Sequence, residues 1–243
     1  MDREVRSLLV VDSSASHIFF MGTMLRKLDY KVRFAMNADD ALRAMTEALP
    51  SLVLTDTVLP AKSGIVMLRE MKQSPRLKAI PVIVHSSDSD SSVREACLSA
   101  GCTDFYRKPT DFNVLYSAIQ AATESVPRKN IRIDTLLKVE VKSKTGATRQ
   151  EQVTALSEGG CYVCTSAPEP EHTVLSLRLL VSNREIMVSG AVQYSSTMIG
   201  GQHKEPGMGI KFTSIRPEDR IFVRDYIKDQ IAKDVVPGFA YNQ

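Results

Sequence analysis

Short apolar runs recur through the first half of the chain, and the segments between them repeat at helical spacing. Residues 8–11, 52–54 and 81–84 are continuous apolar runs, the pattern of a strand buried on both faces. Residues 32–36 and 105–107 fit the same series as second and fifth strands. Between the runs, Ile18, Met21, Leu25 and Leu28 fall on one helical face. Helices are predicted over 38–49 (stopped by Pro50), 64–73 (closed by Pro75), 91–100 (stopped by Gly101) and 111–123, where Phe112, Leu115 and Ile119 share a face. Five strand–helix units of this length fold as a doubly wound parallel sheet, whose site lies at the carboxyl ends of the strands.

That alternation stops after Glu124. Pro127 and the basic cluster Arg128, Lys129 and Arg132 interrupt helical periodicity, and the signals that follow are β. Residues 138–142 alternate as Lys-Val-Glu-Val-Lys, and 161–164, 174–180, 185–188, 191–194 and 208–212 are short strands parted by Gly, Pro, Ser and Asn. Such density predicts a small antiparallel barrel or sandwich. One helix closes the chain, with Pro217 near its start and Ile221, Tyr226, Ile227 and Ile231 as a packed face. The expected domains are therefore 1–123 and 124–235, with a tail over 236–243. A length of 243 residues accommodates both.

Composition mainly excludes. No window approaches the 18 consecutive apolar residues of a membrane span, and Asp2, Arg3, Glu4 and Arg6 break up any signal peptide, so a cytoplasmic protein is expected. Four cysteines make no disulfide framework. The chain up to residue 124 carries 15 basic and 15 acidic residues and the remainder 16 and 13, so the net +3 belongs to the second half and is too small to argue for nucleic acid.

Four polar residues stand at predicted strand ends of the first half: Asp12, Asp56, Ser86 and Lys108. Two carboxylates there can hold a hard divalent cation. One can also serve as nucleophile in phosphoryl transfer, with a lysine and a hydroxyl stabilising the phosphoryl oxygens.

In sequence, residues 5–123 resemble the flavodoxin-like receiver domain of bacterial response regulators. The motifs that carry the likeness occur in order: LLVVDS, LVLTDTVLPAKSG with Pro60 and Gly64, PVIVHSS, and DFYRKP with Pro109. The resemblance implies Asp56 as phosphoacceptor, Ser86 as switch hydroxyl, Phe105 as switch aromatic and Lys108 as the charge partner. It also implies magnesium held by Asp12, Asp56 and the Val58 carbonyl. Receivers carry two adjacent acidic residues after the first strand, whereas this chain has Ser13 at the second, which weakens the cation site.

Residues 125–233 resemble a PilZ domain, a six-stranded barrel that binds cyclic di-GMP. The Arg-x-x-x-Arg motif matches Arg128 and Arg132, and the Asp/Asn-x-Ser-x-x-Gly motif matches at Ser157 and Gly160. Ala155 occupies the acidic or amide position of that second motif. IMVSGAVQY and GMGIKF are similar to the family's later strands. The resemblance implies that Arg128, Arg132, Ser157 and Gly160 contact the dinucleotide.

Other signals read as packing. Cys161 and Cys164 are three apart on a strand and point to opposite faces, with His172 and His203 each alone. Cys97 and Cys102 flank a helix end, and His85 reads as a half-buried strand histidine beside Ser86. Val58 stands where a haloacid-dehalogenase-type phosphatase needs a second Asp, and there is no nucleophile elbow. The expected protein is a non-enzymatic two-component regulator in which a sensor histidine kinase, cyclic di-GMP and a downstream protein are partners, with homodimerisation left open. The alternative is an adaptor whose two domains have both lost their ligands, which Ser13 and Ala155 favour.

Overall fold

The computed structural model describes residues 5–128, 130–143, 146–197 and 205–233. Lys129, His203 and the tail over 236–243 lie outside the described residues. The chain divides into two compact units between residues 129 and 130.

The first unit alternates strands β1 (Ser7–Val11), β2 (Lys31–Ala35), β3 (Leu52–Thr55), β4 (Val82–Ser86) and β5 (Asp104–Arg107) with helices. These are α1 (Ala15–Arg26), α2 (Ala38–Glu47), α3 (Gly64–Gln73), α4 (Ser91–Ser99) and α5 (Phe112–Thr123). The strands pair in parallel in the order β2-β1-β3-β4-β5. All residues of β3 and β4 are buried, as expected of central strands covered on both faces. Side-chain caps from Ser14, Asn37, Ser63, Asp90 and Asp111 accept from the first-turn amides of the five helices and so fix where each begins. One apolar cluster joins Leu9, Val53 and Val84 of the sheet to Met45, Met67, Met71 and Cys97 of α2, α3 and α4.

The second unit is a closed barrel in the order β10-β11-β8-β7-β6-β9. Its strands are β6 (Arg132–Lys142), β7 (Thr148–Ser157), β8 (Gly160–Cys164), β9 (Val174–Val181), β10 (Arg184–Ser196) and β11 (Gly207–Ile215). Strand β9 alternates strictly between exposed and buried residues, and Leu175, Leu177, Leu179 and Val181 fill the interior. Helix α6 (Pro217–Ala232) packs through Val223, Ile227 and Ile231. Its first turn is held by the fully buried Asp219, which pairs with Arg184 at 2.6 Å and Arg216 at 2.7 Å.

Three local expectations change. Residues 185–188 and 191–194 belong to one strand, β10, which stays paired to β11 across a register shift at Ser189/Gly190. A glycine in a strand thus marks a bulge here and not a break. Ile221 is 49% exposed and Tyr226 only partly buried, so the packed face of α6 runs through Val223 instead. His85 is buried.

Candidate functional site

The parallel register sets the first site. Val11 pairs with Thr55, Thr55 with Val84, and Val84 with Phe105, so the residues just beyond come out along one edge of the sheet. Asp12, Asp56, Ser86 and Lys108 are brought together there. Lys108 Nζ donates to Asp12 Oδ2 at 2.6 Å and to Asp56 Oδ2 at 2.7 Å. Ser86 Oγ donates to Asp56 Oδ1 at 2.6 Å, and the Val58 amide donates to the same oxygen at 3.1 Å. The Ser14 amide donates to Asp12 Oδ1 at 2.8 Å. Close approach of α3 holds the Asp56 backbone: a Cβ on Gly64 would lie 2.0 Å from the Asp56 carbonyl oxygen. Phe105 is buried in β5. Ser13 is exposed beside the pocket.

Burial alone would push the Asp56 carboxyl up. Lys108, Ser86 and the Val58 amide outweigh it and hold the group below its ordinary value. Asp12 goes further in the same direction, because His17, Lys108 and the Ser14 amide together overcome its burial. Both carboxylates are therefore ionised at neutral pH, and one lysine lies between them. Asp12 and Asp56, with the Val58 carbonyl, are the groups that could hold magnesium. The ion takes one or two carboxylates and keeps several waters, so this pair fits it even without an acid at Ser13.

Two neighbours, His17 and Thr57, escaped the sequence reading, and a third, His85, was read there as packing. His17 Nδ1 lies 2.8 Å from Asp12 Oδ2. The signal was its place in the first turn of α1, close behind Asp12. Thr57 Oγ1 lies 2.5 Å from Ser86 Oγ, which also donates to Asp56 and accepts from the Asp88 amide at 3.3 Å, so the Ser86 hydroxyl has three partners. His85 lies against His17 with ring centroids 5.3 Å apart and the planes tilted by 45°, and neither of its ring nitrogens has a hydrogen-bond partner among the described residues. Burial, then His17 and Lys108, lower its pKa to about 4, so the ring is neutral.

The barrel motif residues are placed differently. Register pairs Arg132 with Ser157 across β6 and β7, and Asp134 with Ala155. Ser157 is buried and its hydroxyl donates to the Gly160 carbonyl at 3.0 Å, which closes the β7–β8 turn. Gly160 packs against β11: a Cβ there would lie 2.3 Å from the Ile210 carbonyl oxygen. Arg128 belongs to the first unit. Its amide donates to Gln120 Oε1 at 3.1 Å, and Gln120 Nε2 in turn donates to the Tyr30 hydroxyl at 2.6 Å. Cys161 and Cys164 are no thiolate pair. Burial pushes Cys161 up to about 12, and burial together with Glu205 takes Cys164 to about 11. Among the described residues no group of three His, Cys, Asp or Glu side chains could hold a metal, and no helix is long and apolar enough to cross a membrane.

Comparison with known proteins divides the chain in the same way. Residues 8–120 match the response regulator receiver domain and residues 127–229 the PilZ domain. The two-component response regulator ORR5 of Oryza sativa is 33% identical over 103 residues, 42% of this chain and 77% of that protein. The response regulator PleD of Caulobacter vibrioides is 28% identical over 116 residues, 48% of this chain. The chain spans only 26% of PleD's length. A crystal structure of a response regulator from Chloroflexus aurantiacus is 26% identical, with a TM-score of 0.48, covering 49% of this chain and 98% of that one.

Proposed function

The chain belongs to the response regulators, its receiver domain followed by a PilZ domain, and from that premise we propose that Asp56 accepts a phosphoryl group and the barrel binds cyclic di-GMP. The observation that carries the receiver half is the convergence of Asp12, Asp56, Ser86 and Lys108 within hydrogen-bond distance. An Asp56 carboxylate oxygen attacks the phosphorus of a phosphohistidine on a sensor kinase. The phosphorus–nitrogen bond breaks, its electron pair stays with the imidazole, and an acyl phosphate forms on Asp56. Lys108 then pairs with the phosphoryl charge, and Ser86, already turned to Asp56, donates to a phosphoryl oxygen. Magnesium, when held by Asp12, Asp56 and the Val58 carbonyl, would neutralise charge on the transferring group. No further catalytic step is needed, so the protein acts as a non-enzymatic relay to a downstream protein.

In the barrel half, Arg132 is exposed and suits a phosphate or a guanine edge. Arg128 stands four residues before it. Arg128's backbone is tied through Gln120 to the buried core of the receiver unit. That tie supports coupling between the two signals, which must be reciprocal if it exists. The adaptor reading retains one specific observation, that all four oxygens of Asp12 and Asp56 already accept from the protein's own groups.

Incubation with magnesium and a small phosphodonor such as acetyl phosphate, followed by intact-mass measurement, separates the readings. Addition of one phosphoryl group to the wild type and none to Asp56→Asn is expected. Absence of the adduct in both leaves the adaptor. Cyclic di-GMP affinity measured with and without beryllofluoride then tests coupling, and equal values exclude it.

A further inference from the structure

The outer face of the barrel carries a second charge beside Arg132 that the motif reading does not include. Asp134 lies two residues further along β6, hence on the same face and about 6.6 Å away. The buried residue between them, Ile133, pairs with buried Leu156, which confirms that Arg132 and Asp134 point outward. Directly across from Asp134 stands Ala155, half-buried, with its Cβ about 4.5–5.5 Å away. Neither the Arg132 nor the Asp134 side chain has a hydrogen-bond or ion-pair partner among the described residues. Two opposite charges on one face, adjacent yet unpaired, leave an acceptor and a donor free side by side.

The backbone here is irregular. Strand β6 shifts register against β7 between Asp134 and Leu137, and β7 shifts against β8 between Val153 and Ala155. Bulges re-aim side chains and terminate regular pairing, and they gather beside functional sites. The β6 bulge exposes Leu136 to 78%, which provides an apolar surface next to Asp134.

We infer that Asp134 supplies the carboxylate that Ala155 lacks and reads the guanine base of the bound dinucleotide, an assignment that rests on the cyclic di-GMP reading above. Guanine offers what this face complements: N1–H and N2 amino donors for Asp134, and O6 and N7 acceptors or the neighbouring phosphate for Arg132. Because the carboxylate comes from the facing strand, the lost side chain at Ala155 leaves the face with its acceptor. Asp134 is thus a specificity-determining residue.

Calorimetric titration of the full chain tests this with two ligands, cyclic di-GMP and its inosine analogue, which keeps N1–H and lacks the 2-amino group. The wild type is expected to bind cyclic di-GMP about tenfold more tightly than the analogue. Asp134→Ala is expected to lose about tenfold for cyclic di-GMP and to bind both ligands alike. The double variant Asp134→Ala with Ala155→Asp is expected to recover affinity and discrimination, since it moves the carboxylate across the ladder. Thermal melting of each variant reports folding. Cyclic di-GMP binding by the wild type with an unchanged Asp134→Ala titration overturns the assignment alone. No binding by the folded wild type overturns the cyclic di-GMP reading and the assignment with it.

Discussion

The two candidate sites are built on opposite principles. In the receiver pocket every carboxylate oxygen of Asp12 and Asp56 accepts at least one hydrogen bond, and the four residues come from four different strand ends. On the barrel face Arg132 and Asp134 stand exposed with no partner among the described residues, two positions apart on one strand. The pocket is a closed electrostatic unit whose charges stabilise one another. The face is open, and its charges are satisfied only by water or a ligand. Substitutions in the first should therefore be read in stability, and in the second in affinity.

Lys108 gives the largest expected effect. Its side chain is 15% exposed and bridges Asp12 and Asp56. Lys108→Ala leaves two buried carboxylates facing each other, and removing one partner of a buried ion pair costs about 3–5 kcal/mol. Urea unfolding is expected to show a loss of this size. A loss under about 1 kcal/mol would mean that solvent already screens the pocket, and the contrast with the barrel face would collapse.

His85 sharpens the contrast through pH. Its folded pKa is lowered from 6.5 to about 4, so the unfolded chain binds the extra proton in that window. Stability contributed by the neutral ring is fully present above about pH 6.5 and is lost as pH falls towards 4, by up to about 3 kcal/mol. The groups around it are His17, Lys108, Asp56 and Asp12. Unfolding at neutral pH and at about pH 5 is expected to differ less in His85→Leu than in the wild type. Equal differences would show that other groups carry the acid sensitivity.

How much of this was legible follows the same division. The receiver's buried strands announce themselves because both faces are covered, so residues such as Leu52, Val53 and Leu54 must all be apolar. Asp12, Asp56, Ser86 and Lys108 follow from strand ends alone. His17 had only a weak signal, its place in the first turn behind Asp12, because a helix start does not say which way a first-turn side chain turns. In the barrel one face is wet. Strand β7 presents Thr148, Gln150 and Gln152 outward and buries only Val153, Leu156 and Ser157, so it left no apolar run to find. Gly190 split β10 in the sequence because a bulge and a turn look alike there. Asp134 was invisible for a stronger reason. Its importance lies in facing Ala155, and cross-strand register is not written in either strand separately.

Gly160 tests whether a motif residue acts through contact or through shape. Its missing side chain lets β8 approach β11, where a Cβ would meet the Ile210 carbonyl oxygen at 2.3 Å. Gly160→Ala is expected to cost about 1–3 kcal/mol in thermal or urea unfolding. Cyclic di-GMP affinity, measured where the variant is folded, should stay within about twofold. A large affinity loss with unchanged stability would place the glycine against the ligand instead.

Arg132 carries the smallest expected effect on stability. Its side chain is exposed and makes no hydrogen bond or ion pair among the described residues, so Arg132→Ala removes no native interaction of that kind and should change unfolding by no more than about 0.5 kcal/mol. Its effect should appear in affinity. A guanidinium grips a phosphate or a guanine edge with two parallel donors, which an ammonium cannot reproduce. Arg132→Ala is therefore expected to weaken cyclic di-GMP by at least about tenfold, and Arg132→Lys to recover only a minor part. Full recovery by lysine would mean that a point charge suffices and that the planar fork is unused. A stability loss in Arg132→Ala comparable to that of Lys108→Ala would mean that the face is internally paired after all, and the two sites would no longer differ in kind.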